Sequence, residues 1–140
     1  MRPVKKDYLL YAVTDRSWLR GGTLFEQVQE TLEHGTTFLQ LREKEMAKED
    51  FMAEARQIKG LTDAMRIPFV INDNIEVALA VDADGAHIGQ SDIAVTEARR
   101  LLGPDKKLGV SAQTVAEALL AEKEGADYLG VGAGFPTSTK

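Results

Sequence analysis

The 140-residue sequence contains no cysteine, which excludes a disulfide framework, a thiolate metal site and a cysteine nucleophile. It has no basic excess either. Its 22 acidic residues outnumber its 17 lysines and arginines, for a formal charge of −5, and a surface of that sign repels nucleic acid and anionic membranes. Any anion site must therefore be a local cationic pocket in an acidic protein. No apolar run approaches the roughly 20 residues that span a bilayer. The basic start, Met1-Arg2-Pro3-Val4-Lys5-Lys6-Asp7, is followed by no signal-type apolar stretch with a cleavage site. Zinc, haem and nucleotide-fold fingerprints are missing as well. The expectation is a cytoplasmic, soluble protein of a single domain, 1–140, with neither nucleic acid nor membrane as a partner.

What is present is a regular alternation of strand and helix patterns. Tyr8 to Thr14, Thr36 to Arg42, Phe69 to Ile71, Ala86 to Ile88, Leu108 to Ala112 and Tyr128 to Gly132 read as six strands. Between them lie helical stripes: Leu24, Val28 and Leu32; Phe51, Ala55, Ile58 and Met65; Val77, Ala78 and Val81; Ala98, Leu101 and Leu102. Thr23 with Glu26, and Thr114 with Glu117, carry the spacing of capping boxes. Gly35, Gly103-Pro104 and Gly125 supply stops. Such an α/β string fits either an open doubly wound sheet or a (β/α)8 TIM barrel. A doubly wound sheet concentrates its chemistry at one or two strand ends. Here nearly every strand ends in unusual polarity, from Thr14-Asp15 to Thr137-Ser138-Thr139-Lys140, which favours the barrel. Its strands 7 and 8 are then absent from this chain, which is truncated after the sixth. Exposed edges of that kind favour a homo-oligomer or completion by another chain.

The second strand carries the most information. Side chains alternate along a strand, so Gln40, Arg42 and Lys44 share one face and Leu39 and Leu41 the other. Burying an amide and two cations without partners would cost several kcal/mol, about 2–7 for a polar group alone. That face either ends in solvent with its charges hydrated or opens onto something polar and anionic. Asp73 and Asp92 each follow a strand and precede a helix. Each fits a helix N-cap; as a pair they also fit one Mg²⁺ held by oxygen ligands. Magnesium beside Arg42, Lys44 and Lys140 would suit a diphosphate. His87 is either a satisfied core histidine or a pocket residue. Ser111 lies in line with Gly109 and points where Gln40 points, as a hydrogen-bond donor rather than a nucleophile. Gly130, Gly132 and Gly134 fall on one face, the pattern of a close approach to backbone or of interior crowding.

Taken together, Tyr11-Ala12-Val13-Thr14-Asp15, Gln40-Leu41-Arg42-Glu43-Lys44, Ile71-Asn72-Asp73, Ala83-Asp84-Gly85-Ala86-His87-Ile88-Gly89-Gln90 with Asp92, Gly109-Val110-Ser111-Ala112, and Gly130-Val131-Gly132 leading into Phe135-Pro136-Thr137-Ser138-Thr139-Lys140 resemble the thiamine-phosphate synthase family. The resemblance implies a Mg²⁺-assisted transferase that joins 4-amino-2-methyl-5-pyrimidinylmethyl diphosphate to thiazole phosphate through a carbocation-like state. It implies that Asp73 and Asp92 hold the metal, and that Gln40, Arg42, Lys44, Asn72, Ser111 and Lys140 surround the pyrimidine diphosphate. Arg42, Ser111 and Lys140 are the residues it places at the chemistry. Thr137 and Thr139 would meet the thiazole phosphate, and His87 would line the pyrimidine pocket. The chain departs from the family at Asn74, commonly an arginine, and at Ala133-Gly134, commonly Pro-Ile. A related thiazole tautomerase carries histidine where this chain has Ser111. A diphosphate-binding barrel without turnover is the reading from another class.

Overall fold

The computed structural model describes residues 4–132. Six strands form one sheet: β1 Tyr11–Val13, β2 Phe38–Leu41, β3 Phe69–Asn72, β4 Gly85–Ile88, β5 Lys107–Ala112 and β6 Tyr128–Val131. All neighbours are parallel and the spatial order is the chain order, β1-β2-β3-β4-β5-β6. That order settles the architecture. A doubly wound sheet reverses its strand order at a switch point, whereas a barrel adds each strand beside the last. The described residues therefore form an arc of a (β/α)8 barrel.

Five helices connect the strands: α1 Leu24–Glu33, α2 Lys48–Met65, α3 Ile75–Ala80, α4 Val95–Leu102 and α5 Val115–Glu124. The capping box expected at Thr23 is formed. The Thr23 Oγ1 accepts from the Glu26 amide at 3.1 Å and Glu26 Oε2 from the Thr23 amide at 3.3 Å. At α5 only half of the expected box is made, Thr114 Oγ1 accepting from the Glu117 amide at 3.1 Å. Gly125 ends α5 at φ 115°, a left-handed conformation open to glycine at no steric cost.

The two faces of the sheet differ in chemistry. Leu39, Leu41, Phe69, Ile71, Ala86, Ile88, Leu108 and Val110 point outward and pack with Val28 and Leu32 of α1, Ala55 and Ile58 of α2, Val77 and Ala78 of α3, and Ala98 of α4. Each fully buried aliphatic side chain here contributes about 1.5–3 kcal/mol. Two expected stripe positions lie outside this core. Met65 and Leu101 are exposed, and in α2 Thr62, one turn after Ile58, is buried instead. α5 buries only Ala121, leaving Val115, Leu119 and Leu120 in solvent.

Local polar contacts shorten the first strand relative to expectation. Lys5–Tyr8 turns into a 3₁₀ helix, because the Asp7 carboxylate accepts from the Val4 amide at 3.0 Å. The chain then straightens only at Tyr11. No helix among the described residues is long and apolar enough to cross a membrane.

Candidate active site

The inner face of the arc reads across neighbouring strands by register. Val13 pairs with Gln40, Asn72 with His87, His87 with Gly109, and Ser111 with Gly130. These pairings converge five of the expected residues, Gln40, Arg42, Asn72, His87 and Ser111, on one cavity of about 470 Å³, which Tyr8, Tyr11, Tyr128 and Gly130 also line. The cavity sits at the C-terminal ends of the strands, where barrel chemistry is built.

Hydrogen bonds match the burial of Gln40, Tyr11, Tyr128 and His87, whereas the buried Tyr8 hydroxyl has no partner among the described residues. Gln40, 5% exposed, donates from Nε2 to the Tyr11 hydroxyl at 2.8 Å. The Tyr11 and Tyr128 hydroxyls lie 2.6 Å apart. His87 is also buried, with Nδ1 3.2 Å from the Tyr128 hydroxyl and Nε2 2.9 Å from Ser111 Oγ. The aromatic rings of Tyr8, Tyr11, Phe38 and Tyr128 pack together, Tyr11 stacking on Phe38 at 4.5 Å. Burial is the first cause that raises the pKa of Tyr8, Tyr11 and Tyr128, so all three remain neutral phenols.

Arg42 and Lys44, expected on one face, separate. Strand geometry ends at Leu41, so alternation carries as far as Arg42 and not into the bend that holds Lys44. Lys44 instead lines a neighbouring cavity of about 610 Å³ with Asp15, Arg16 and Trp18, and Arg42 lines both. Glu43, between the two cations, lines the larger cavity with them and is held there by Arg16. Arg16 bonds it at 2.8 Å and Glu54 at 2.7 Å. This anchor, with its carboxylates largely buried and its guanidinium exposed, fixes the turn from which Arg42 and Lys44 project. Burial first, then the Glu43 charge, raises the Glu54 carboxyl above its ordinary value, and Arg16 opposes them.

Asp73 and Asp92 do not cap helices. Asn74 caps α3, its Oδ1 accepting from the Val77 amide at 3.0 Å, and Ala94 is the N-cap position of α4. The two carboxyls interact, and the Asp73 pKa is pushed up to about 6, first by burial and then by Asp92, against the pull of Arg42. Two hard oxygen donors that repel unless they share a proton fit a divalent cation well. Among the described residues no third Asp, Glu, His or Cys joins them, which suits magnesium, an ion that keeps several waters and substrate oxygens. The Asp92 Oδ2 is held by the Gly89 amide at 2.7 Å.

The glycines in and after β6 divide. A Cβ on Gly130 would lie 3.0 Å from the His87 ring, whereas nothing lies within 4 Å of one on Gly132; Gly134, Thr137, Thr139, Lys140 and Ala133 lie outside the described residues. Tyr128 is the functional candidate that strand reading alone missed. The signal was available in principle: an inward tyrosine in register with Gly109 needs that glycine, because a Cβ there would stand 2.1 Å from its ring. Lys107, also inward and buried, went unnoticed because the fifth strand begins one residue earlier than its apolar run.

The thiamine monophosphate synthase family model matches residues 10–140. The chain belongs to that family. It is 53% identical over 134 residues to a thiamine-phosphate synthase from Clostridium acetobutylicum and 52% identical over 136 residues to one from Clostridium botulinum, matches that take in 96% and 97% of this chain. It spans 64% of the length of each of these curated relatives. A solved thiamine phosphate pyrophosphorylase from Pyrococcus furiosus superimposes with a TM-score of 0.86 at 38% identity, over 94% of this chain and 63% of that one. The inner-face residues just described are thus set in the frame of this family.

Proposed function

We propose that the protein serves thiamine-phosphate synthesis, condensing 4-amino-2-methyl-5-pyrimidinylmethyl diphosphate with thiazole phosphate to give thiamine phosphate and diphosphate. The observation that carries this reading is the polar cavity of Gln40, Arg42, Asn72, His87 and Ser111 beside the interacting carboxyls of Asp73 and Asp92. Few functions need an anion receptor and a paired-carboxylate site at adjacent strand ends. A metal-bound diphosphate needs both.

In this reading the pyrimidine ring lies against His87 and the tyrosine wall. Arg42, Asn72, Ser111 and Lys140 receive the diphosphate oxygens, with Lys44 at the mouth. Asp73 and Asp92 hold Mg²⁺, which when bound supplies positive charge against the diphosphate. The bond from the pyrimidine methylene carbon to its oxygen breaks and the electron pair leaves with diphosphate. The thiazole nitrogen then donates its lone pair to the methylene cation, with Thr137 and Thr139 holding the thiazole phosphate. Arg42 and Ser111 act by stabilising charge that develops on the leaving group, and the aromatic wall keeps water from the cation.

Mixing the protein with both substrates and Mg²⁺ and following diphosphate release tests the proposal. Release that requires both substrates and yields thiamine phosphate is expected. Tight binding of the pyrimidine diphosphate without release would make this chain a binding module instead.

A further inference from the structure

We propose that Tyr128 is a positioning residue that holds His87 as its Nε2–H tautomer and thereby turns the Ser111 hydroxyl proton into the cavity. The donors and acceptors are fixed from one end of a chain of side chains. Gln40 Nε2 can only donate, and it reaches the Tyr11 oxygen at 2.8 Å. Tyr11 must then place its own proton on its other partner, the Tyr128 oxygen at 2.6 Å. Tyr128, having accepted there, donates to His87 Nδ1 at 3.2 Å. A neutral imidazole that accepts at Nδ1 carries its proton on Nε2, which donates to Ser111 Oγ at 2.9 Å. The Ser111 proton is left to point at whatever occupies the cavity.

The opposite direction fails at Tyr11. If Tyr128 donated to it, the Tyr11 oxygen would accept twice and its buried proton would have no acceptor, a costly orphan. Both phenols are held protonated by burial, so neither can join as a phenolate. Gly109 makes the middle step possible. A Cβ there would stand 2.4 Å from the Tyr128 hydroxyl and 2.5 Å from His87 Nδ1, so only glycine leaves room for that contact.

The consequence for ligand binding rests on the pyrimidine-diphosphate reading above; the tautomer does not. Only two histidines occur in the chain, and the other, His34, is exposed at the end of α1. Ring-nitrogen NMR of ¹⁵N-labelled protein therefore reads His87 directly. Without ligand, Nδ1 should be unprotonated and Nε2 protonated. Tyr128→Phe should mix the two tautomers, whereas Tyr11→Phe, which leaves the Tyr128 proton no acceptor but His87 Nδ1, should keep the Nε2–H tautomer. Affinity for a pyrimidine methyl diphosphate with a non-cleavable methylene bridge should fall about threefold to tenfold in Tyr128→Phe, the range of one lost hydrogen bond. In a Ser111→Ala background the same substitution should change nothing further. A protonated Nδ1 in the wild type, or full additivity of Tyr128→Phe with Ser111→Ala, overturns the proposal. If the analogue fails to bind the wild type, the pyrimidine reading falls, and the ring spectra alone uphold or overturn the tautomer.

Discussion

Asp73 holds a backbone φ of 66°, with the Asn74 amide donating to the Asn72 carbonyl at 2.8 Å around it. Such an i to i+2 turn at positive φ is rare and strained. The strain aims the carboxyl at Asp92, and the pair then works against the fold. The Asp73 pKa is raised from 3.8 to about 6, so the folded protein binds this proton more tightly than the unfolded chain does. The stabilisation it gives is full below the unfolded value and is lost as pH rises through about 6. Metal-free protein should therefore lose stability between pH 4 and pH 6 on this account, while stabilisation by added Mg²⁺ should grow over the same interval. Asp73→Asn tests both parts, because asparagine tolerates the left-handed backbone and cannot ionise. Its melting temperature at pH 7.5 without metal should equal or exceed the wild type, and millimolar Mg²⁺ should no longer raise it. Undiminished Mg²⁺ stabilisation of the variant would remove Asp73 from the metal site.

Among the elements, α1 owes its start to the Thr23–Glu26 box and its seat to Leu24, Val28 and Leu32. Thr23→Ala should cost about 1 kcal/mol, measured as a lower urea midpoint with unchanged slope; a shift below a few tenths would mean that packing alone fixes the helix. This start was legible in the sequence, as were all six strands, because caps and periodicities are written in residues three or two apart. The outward positions Leu39, Leu41, Ile71 and Ile88 follow from alternation alone. The convergence of Gln40, Arg42, Asn72, His87 and Ser111 on one cavity was legible too, through the same parity and the family motifs. The hydrogen bonds among them were not. Tyr11 and Tyr128 lie 117 positions apart, and no local pattern reports which inward hydroxyls will meet across a curved sheet. Lys44 escaped for the reverse reason, since alternation was carried three residues past the end of its strand. Asp73 and Asp92 wore the spacing of helix caps, and only the observed caps, Asn74 and Ala94, free them for other work.

At the scale of the molecule, every strand lies beside its predecessor, so each βα step can dock on the one before it. The contact between Tyr11 and Tyr128 is of another kind, because it ties the first strand to the sixth over a separation of 117 residues. Closing a loop that long costs about 4 kcal/mol in chain entropy if made early, and far less once the intervening strands are in place. It should therefore form after the rate-limiting barrier has been crossed. In stopped-flow chevrons Tyr128→Phe should quicken unfolding and leave the refolding rate almost untouched, a φ-value near zero. Slower refolding with an unaltered unfolding limb would place the tyrosine pair in the nucleus. If the pair forms last, it also opens first, and the protein's grip on its ligand becomes a brake on its own unfolding rate.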